Sequence, residues 1–235
     1  MLSVIIPALN EATNLRRLLP GVTAACPQAE IIVADGGSTD GTLDVLRAFP
    51  AVRTIKAPRG RARQMNAGAA LATGQVLLFL HADTVLPPGA QAALLEALQE
   101  PGVVGGRFDV RFDNPRAAFR MVAGLMNLRS RLSGIATGDQ AIFVRKETFD
   151  RMGGYADIPL MEDVEFTRRL KRQGRPACLR LRVTTAARKW EHEGVVRTIL
   201  LMWLMRFLYA TGMSPARLHR YYYGAPPSVD PPSAR

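Results

Sequence analysis

The sequence predicts an α/β fold with an open, mainly parallel twisted sheet flanked by helices on both faces. Two observations predict this class. Short apolar runs alternate with helical patterns over the first two-thirds of the 235 residues, as expected for successive βαβ units. The fourth run, Gln75 to Leu80, is almost continuously apolar, which is typical of a strand that helices cover on both faces.

The first βαβ unit begins with a β-branched run at 2–9 that is flanked by turn formers and predicts a buried strand. Leucine and valine then recur at helical spacing over 15–25, which predicts a helix. A second apolar run at 30–35 predicts the next strand. The same rhythm predicts a helix at 40–49, a strand at 52–56, a helix at 63–72 and a strand at 75–80.

The alternation becomes less regular after Asp83. The patterns there predict helices at 90–99, 115–132, 164–173 and 195–209, and strands at 102–112, 141–145 and 177–185. We find no linker or internal repeat between the two halves, so we predict a single domain over 1–224. The proline-rich end, 225–235, has the composition of a disordered tail.

Composition restricts the class of partner. The chain is 48% hydrophobic and 22% charged, and 31 basic against 20 acidic residues leave a net charge of +11. These values exclude disorder and coiled coil, and they favour an anionic partner such as a phosphate-bearing small molecule, a nucleic acid or an acidic membrane. Two cysteines are too few for a disulfide scaffold, and Pro7 interrupts the only apolar run near the start. We therefore expect a cytoplasmic protein.

Polar residues follow each of the first four predicted strands. Ligands of open α/β sheets bind at the carboxyl ends of the strands, so these residues are expected to converge on one edge. They combine carboxylates, amides and arginines, which is a pattern suited to a nucleotide and a metal ion. They are Pro7, Asn10 and Glu11 after the first strand; Asp35 and Gly36 after the second; Arg59, Arg61, Arg63, Gln64 and Asn66 after the third; and His81, Ala82 and Asp83 after the fourth.

Several strings at these strand ends resemble the family 2 glycosyltransferases, and the resemblance extends over 2–175. They are Val4-Ile-Ile-Pro-Ala-Leu-Asn-Glu, Val33-Ala-Asp-Gly-Gly-Ser-Thr-Asp-Gly-Thr, Phe79-Leu-His-Ala-Asp-Thr, Gly138-Asp-Gln and Met161-Glu-Asp-Val-Glu. Within the family, the chain is most similar to the small branch named for arsenosugar biosynthesis. The resemblance implies the GT-A fold, a nucleotide-diphospho-sugar donor, a hydroxyl acceptor, Mn²⁺ or Mg²⁺, and inversion at the anomeric carbon. We divide the predicted domain into a nucleotide-binding part at 1–85, an acceptor-side part at 86–194 and an apolar helical region at 195–223.

The resemblance assigns the nucleoside contacts to the first two strand ends. Asp35 matches the position that binds the base, most often uracil, so a UDP-linked donor is expected; Gly36 follows it in the same string. Pro7, Asn10 and Glu11 match the loop that lines the nucleoside. Asn10 also suits a helix cap, and the two roles are compatible.

The metal assignment is carried by Asp83. This residue matches the last carboxylate of an Asp-x-Asp motif, but His81 stands where the first aspartate is expected. His81 and Ala82 are assigned to the donor-binding loop, with a histidine satisfied by backbone as the alternative. His192 resembles the C-terminal histidine that completes metal coordination in many GT-A enzymes, and a purely structural role for it stays equally open.

The resemblance assigns catalysis to Asp163 as the base that takes the acceptor proton, with Glu162 in support. An aspartate favoured by a helix amino end is the alternative. Among the three loop arginines, Arg59 is our preferred diphosphate ligand. Asn66 and Gln64 are further candidates for the nucleotide, and Asp139 and Gln140 for the donor sugar or acceptor, with Asp109 less certain. We expect Asp35, Asp83 and Asp163 to share one pocket.

The segment Val195 to Ala210 is apolar nearly all round a helix but too short to span a bilayer. It is expected to pack internally, to form a homodimer, or to contact the inner face of a membrane peripherally. Two other functions remain open: a sugar nucleotidyltransferase, and a non-enzymatic module that binds a nucleic acid or another anionic surface. We favour the transferase and expect no nucleic-acid partner, because such a module leaves the ordered carboxylates unexplained.

Overall fold

The computed structural model describes residues 1–224, and one eight-stranded sheet runs through them. In chain order the strands are β1 (Leu2–Ala8), β2 (Glu30–Asp35), β3 (Val52–Lys56), β4 (Val76–Phe79), β5 (Thr84–Val85), β6 (Val103–Phe112), β7 (Ile142–Arg145) and β8 (Arg175–Thr185). Their spatial order is β3-β2-β1-β4-β7-β6-β8-β5.

Ten helices accompany the sheet within residues 1–224. They are α1 (Ala12–Ala25), α2 (Thr42–Arg47), α3 (Arg61–Leu71), α4 (Ala90–Ala97), α5 (Ala117–Ser133), α6 (Lys146–Arg151), α7 (Glu162–Gln173), α8 (Arg188–Glu193), α9 (Val195–Ala210) and α10 (Pro215–Tyr223). A short 3₁₀ turn, Gly138–Gln140, precedes β7.

The first four strands are parallel, in the order β3-β2-β1-β4. β7 then runs antiparallel to β4, and β6 runs antiparallel to β7. β8 returns parallel to β6, and β5 closes that edge antiparallel to β8. The α/β prediction is confirmed, and the parallel pairings predominate, but the second half of the sheet is mixed.

Apolar clusters cover both faces of this sheet. Alternate residues of β1 point to opposite faces, as the pleat requires: Val4 and Ile6 join the cluster formed with α1 and α4, whereas Ile5 joins the cluster formed with α3 and α7. The second cluster contains stacked rings of Tyr155 and Phe166, with centroids 4.2 Å apart. The two layers fix the carboxyl ends of β1, β2 and β4 side by side.

The strands predicted at 30–35 and 52–56 match the structure at both ends. Three short elements, β5, α6 and α8, were not predicted, and α10 lies within the predicted helical region 195–223 but was not predicted as a separate helix. The predicted tail, 225–235, lies outside the described residues. Within the described chain, no helix combines the length and apolar character that crossing a membrane requires.

Candidate active site

A cavity of about 660 Å³ opens at the carboxyl ends of β1 and β4. The residues that line it come from five separate segments of the chain. They are Pro7 and Ala8 at the end of β1, with Leu9 and Glu11 after it; Arg59, Gly60, Arg61 and Gln64 at the start of α3; His81, Ala82 and Asp83 after β4; Pro159, Leu160 and Glu162 before and in α7; and His219, Tyr223 and Gly224 in and after α10. Nine of the lining residues were among the predicted candidates for the donor, the metal or catalysis: Pro7, Glu11, Arg59, Arg61, Gln64, His81, Ala82, Asp83 and Glu162.

The amino end of α3 faces this cavity. Gly60 is the N-cap residue, has a φ of 132°, and offers no side chain to cap the first turn. Unpaired N–H groups at a helix amino end favour a bound anion. Arg59 and Arg61 line the cavity at the same place, so this wall of the cavity is suited to phosphate oxygens.

Asp35 lies on a smaller neighbouring cavity of about 330 Å³, which Lys56 also lines. The buried carboxylate of Asp35 accepts hydrogen bonds from the N–H groups of Gly37 at 3.0 Å and Ser38 at 3.1 Å. Gln64 separates the two cavities: its buried amide donates to the carbonyl oxygens of Ala8 at 2.6 Å and Ala34 at 2.9 Å. A Cβ on Gly36 would contact this amide at 3.0 Å, which favours glycine there.

Asn10 connects the loops that follow β1 and β2. It has a left-handed φ of 58°, its N–H donates to Ser38 Oγ at 2.8 Å, and its Oδ1 accepts from the Thr39 N–H at 2.8 Å. The Asn10 side chain therefore does not cap α1; it fixes the loop after β1 against the loop after β2.

Asp83 and Glu11 supply carboxylates on one side of the large cavity. Burial raises the pKa of Glu11, the hydrogen bond from Asn14 opposes this, and the Asp83 charge raises the pKa further. Two nearby carboxylates suit a hard divalent cation once water and phosphate oxygens complete its shell. His192 lies exposed on α8 and does not line the cavity, and no cluster of three or more potential ligands occurs within residues 1–224. The donor set that fits a cation is therefore Asp83 with Glu11.

His81 connects the cavity to the 3₁₀ turn before β7. Its Nδ1 lies 3.4 Å from Asp139 Oδ1, and a Cβ on Gly138 would overlap the imidazole ring. The Gly138 N–H donates to Asp163 Oδ2 at 2.9 Å. Asp163 therefore lies directly behind the cavity wall rather than among its lining residues.

Glu162 forms the wall in front of Asp163. It is buried, and its Oε1 accepts from Arg61 Nη1 at 3.1 Å. Burial and the Glu162 charge raise the pKa of Asp163 to about 6, against the lowering effects of the Gly138 N–H, Arg61 and the Val164 N–H. A carboxyl group with such a pKa can exchange a proton near neutral pH.

The expected common pocket for Asp35, Asp83 and Asp163 is thus not what the structure contains. Asp83 lines the large cavity, Asp35 the smaller one, and Asp163 the space behind Glu162. The reason is local: Asp35 and Asp163 both turn their oxygens toward backbone N–H groups.

Four further candidates use their side chains elsewhere and do not line the large cavity. The Asn66 amide is paired in both directions with the backbone of Tyr155, at 2.8 and 2.9 Å. Arg63 forms an ion pair with Asp157 at 2.7 Å. Gln140 is buried against Thr137 and Asn127, and Asp109 is buried between Arg107 and Arg131.

The sequence analysis missed the contribution of α10. His219 and Tyr223 of this helix line the cavity, with ring centroids 4.8 Å apart. Burial, followed by the charges of Glu193 and Asp139, raises the pKa of Tyr222 to about 12, while Arg61 opposes the shift. The only local signal was Pro215 after Ser214, which indicates a helix start.

The family model for glycosyl transferase family 2 matches residues 3–156. This match includes the strand ends that line the cavity. The chain belongs to glycosyltransferase family 2.

Curated relatives in sequence carry glycosyltransferase names. The chain is 36% identical over 166 residues to a PGL/p-HBAD biosynthesis glycosyltransferase of Mycobacterium tuberculosis, covering 66% of this chain and 63% of the relative. It is 32% identical over 159 residues to an undecaprenyl-phosphate 4-deoxy-4-formamido-L-arabinose transferase of Aeromonas hydrophila, covering 62% and 48%. The matches therefore span less than two-thirds of the length of these relatives.

Solved glycosyltransferases share the fold. A mannosyltransferase from Pyrobaculum calidifontis, in complex with GDP-Man and Mn²⁺, superposes with a TM-score of 0.67 and 22% identity, covering 94% of this chain and 69% of that one. TarS of S. aureus in complex with UDP-GlcNAc gives a TM-score of 0.60 and 18% identity, covering 79% and 58%. The predicted GT-A fold is confirmed.

Proposed function

We propose that this family 2 member transfers a sugar from a nucleotide-diphospho-sugar to an acceptor hydroxyl, with inversion at the anomeric carbon. The observation that carries the proposal is the cavity at the ends of β1 and β4, where Asp83 faces the basic amino end of α3. A nucleoside diphosphate needs cationic groups along its phosphates and a pocket for its base. The family assignment favours this reaction over nucleotidyl transfer and over a non-enzymatic binding module.

Donor binding is assigned to the first half of the sheet. Arg59 and the first turn of α3 would hold the diphosphate, and the loops joined by Asn10 would hold the nucleoside. The smaller cavity beside Asp35 has a carboxylate and the ammonium of Lys56 for polar groups of the base. We propose UDP as the carrier, following the resemblance at Asp35; the solved neighbours hold GDP-Man in one case and UDP-GlcNAc in the other.

A divalent cation is part of the proposal. Asp83 and Glu11 would hold Mn²⁺ or Mg²⁺, which would offset the charge that grows on the leaving diphosphate. Two observations support this fit. Asp83 and Glu11 both line the cavity, and the charge of Asp83 raises the pKa of Glu11. The mannosyltransferase neighbour holds Mn²⁺.

Asp163 is proposed as the general base. Its pKa of about 6 gives it a large deprotonated fraction at neutral pH while leaving it basic enough to accept a proton. Glu162, by contrast, is engaged by Arg61, so its role is to position that arginine and set the charge around Asp163. For Asp163 to reach an acceptor in the cavity, Glu162 or the Gly138 turn, which both contact or adjoin it, would have to move.

The finer placement within the family stays a proposal. The arsenosugar-type branch was our expectation, and the curated relatives reported above include a PGL/p-HBAD biosynthesis enzyme instead. The acceptor is proposed only as a hydroxyl compound.

Thermal-shift titration of UDP, GDP, CMP and dTDP, each with and without Mn²⁺, tests donor binding. The correct diphosphate at about 100-fold excess over its Kd should raise the Tm by about 5 °C or more. Asp83→Ala should remove the Mn²⁺-dependent part of the shift. Asp150→Ala is the matched control, because Asp150 is an exposed aspartate of α6 that pairs with Lys146. The absence of a shift with all four nucleotides would contradict the proposal.

A further inference from the structure

Helices α5 and α9 each expose a stripe of large apolar side chains. Leu132 is 80% exposed and Trp203 is 69% exposed, and no described residue covers either stripe. The members recur three, four or seven residues apart, so each set lies on one helix face. The stripes are Met121, Leu125, Leu128 and Leu132 on α5, and Val196, Leu200, Trp203, Leu204 and Phe207 on α9.

The two helices share neighbours at both ends. Phe112 contacts Phe119 near the start of α5, at 5.5 Å between centroids, and Trp190 just before α9, at 5.3 Å. At the other ends, Ile135 after α5 packs against the cluster that contains Met205 of α9. The two helices therefore share packing neighbours near both ends, and we refer to their two exposed stripes together as the α5–α9 face.

The charged side chains on α5 and α9 themselves are all basic. The segments 114–138 and 195–224 contain four arginines each and no aspartate or glutamate. Arg120 on α5 and Arg197 on α9 are exposed. In a symmetric dimer, an isologous contact through this face would bring like charges together. An anionic lipid surface instead complements both the arginines and the apolar side chains.

We propose that the α5–α9 face binds peripherally to the surface of an anionic lipid bilayer. Trp203 and Phe207 are suited to the interfacial region, and neither helix is able to span a bilayer. This binding is independent of glycosyl transfer. One consequence rests on the proposed function: Met205 of α9 and Leu218 of α10 belong to the same cluster, so a bound membrane would lie near the helix that lines the cavity, within reach of a lipid-linked acceptor.

Vesicle flotation and tryptophan fluorescence test the proposal. The chain has two tryptophans, so Trp190→Phe leaves Trp203 as the sole reporter. We expect its emission to shift to the blue with phosphatidylcholine vesicles that contain phosphatidylglycerol, and to change little with phosphatidylcholine alone. Binding should weaken several-fold when salt rises from about 0.1 M to about 0.5 M, because the Debye length shortens.

Substitutions at exposed positions separate this face from the rest of the surface. Leu125→Ser combined with Trp203→Ser should weaken partitioning by about tenfold or more, since two large apolar groups are lost. Leu71→Ser is the matched control, because Leu71 is an exposed leucine at the end of α3. Arg197→Gln should weaken binding by about fivefold on anionic vesicles only.

Two results would overturn the proposal. One is a failure of the protein to bind phosphatidylglycerol vesicles while it still gives a donor-dependent thermal shift. The other is a concentration-dependent dimer in light scattering that the Leu125→Ser and Trp203→Ser pair dissociates while vesicle binding is unchanged. Circular dichroism and the Tm of each variant establish that it is folded.

Discussion

Arg61 Nη1 donates a hydrogen bond to Glu162 Oε1 at 3.1 Å, although 101 residues separate the two in the chain. The contact joins the amino end of α3 to the first residue of α7, and Asp163 follows directly. Glu162 raises the pKa of Asp163 and Arg61 lowers it. The ion pair thus sets the proton affinity of the proposed base.

The two members of this pair should shift the titration of Asp163 in opposite directions. Arg61→Gln removes a cation and should raise the pKa of Asp163 above about 6, whereas Glu162→Gln removes an anion and should lower it. An NMR titration of the Asp163 carboxyl carbon measures this change in pKa without a substrate. The acid limb of the pH–rate profile should move in the same directions, with wild-type turnover falling below about pH 6 as the base becomes protonated.

Arg63→Gln is the control for Arg61→Gln. Arg63 lies two residues further along α3 but pairs with the exposed Asp157 at 2.7 Å. It should leave the Asp163 titration unchanged. Shifts of the same sign in Arg61→Gln and Glu162→Gln would exclude the electrostatic coupling described above.

Asp163→Asn should abolish transfer, retain donor binding and raise stability at neutral pH. The folded-state pKa of about 6 lies above the ordinary value of 3.8, so Asp163 contributes stability below about pH 4 and loses that contribution as the pH rises through 6. Asparagine is neutral throughout. At about pH 7.5 the free energy of unfolding should rise by up to about 3 kcal/mol, less what the replaced N–H···carboxylate bonds contribute.

Thermal melts across pH check this expectation. Asp163→Asn and wild type should have similar Tm values near about pH 4, diverge as the pH rises from about 4 to about 6, and keep a nearly constant difference above that. The exposed Asp150→Asn variant should follow wild type throughout. A lower Tm for Asp163→Asn at neutral pH would mean that burial is not the dominant influence on this carboxyl group.

Gly138→Ala should impair catalysis through His81. A Cβ at position 138 would overlap the imidazole that lines the cavity, so the ring or the turn must move. We expect at least about a tenfold loss in kcat/KM, which corresponds to about 1.4 kcal/mol of transition-state stabilisation. Gly21→Ala, on α1 with nothing within 4 Å of the added Cβ, should keep full activity. An unimpaired Gly138→Ala enzyme would show that the His81 position is not critical.

Local sequence patterns predicted the half of the candidate site that lies at the ends of the parallel strands. β2 ends at Asp35 and β3 ends at Lys56 in both the prediction and the structure, because apolar runs with turn formers define such strands. The same strands predicted that Asp83, Glu11 and Arg59 lie at one edge of the sheet, because the carboxyl ends of parallel strands converge there. Strand order was enough to place these residues at one edge, whereas their individual roles were assigned from the resemblance to family 2 glycosyltransferases.

Contacts between segments distant in sequence were beyond such patterns. Asn66 was predicted to reach the nucleotide, but its amide pairs with the Tyr155 backbone 89 residues away. Asp109 was a candidate polar site residue, but Arg107 and Arg131 enclose it. The return of α10 to the cavity depends on packing of Leu218 against Met161 and Met205, which helix periodicity alone does not specify.

Asp109→Asn should reduce stability without a specific effect on donor affinity. Arg107 is buried against Asp109 and Ser130 Oγ, and loss of the carboxylate would leave its guanidinium without a counter-charge in the interior. Removal of one partner of such a pair costs about 3 to 5 kcal/mol. Urea unfolding measures the loss, and a change below about 1 kcal/mol would contradict the buried ion-pair interpretation. The donor Kd of the folded fraction should match wild type.

Substitutions in α10 should affect the acceptor more than the donor. Tyr223 and His219 line the cavity, and Leu218 and Tyr222 of the same helix pack with Leu160 and Met161, next to the proposed base rather than to the smaller cavity at Asp35. Tyr223→Ala and His219→Ala should therefore raise the acceptor KM by about tenfold each, if each ring contributes about 1 kcal/mol or slightly more of stacking or apolar contact. Their nucleoside diphosphate thermal shifts should equal those of wild type.

Tyr221→Ala is the matched control, since Tyr221 lies on the same helix, is 64% exposed and does not line the cavity. Equal losses in all three variants would indicate that α10 acts only through the packing of Leu218, and a reduced nucleotide shift in Tyr223→Ala would move this helix to the donor side of the site.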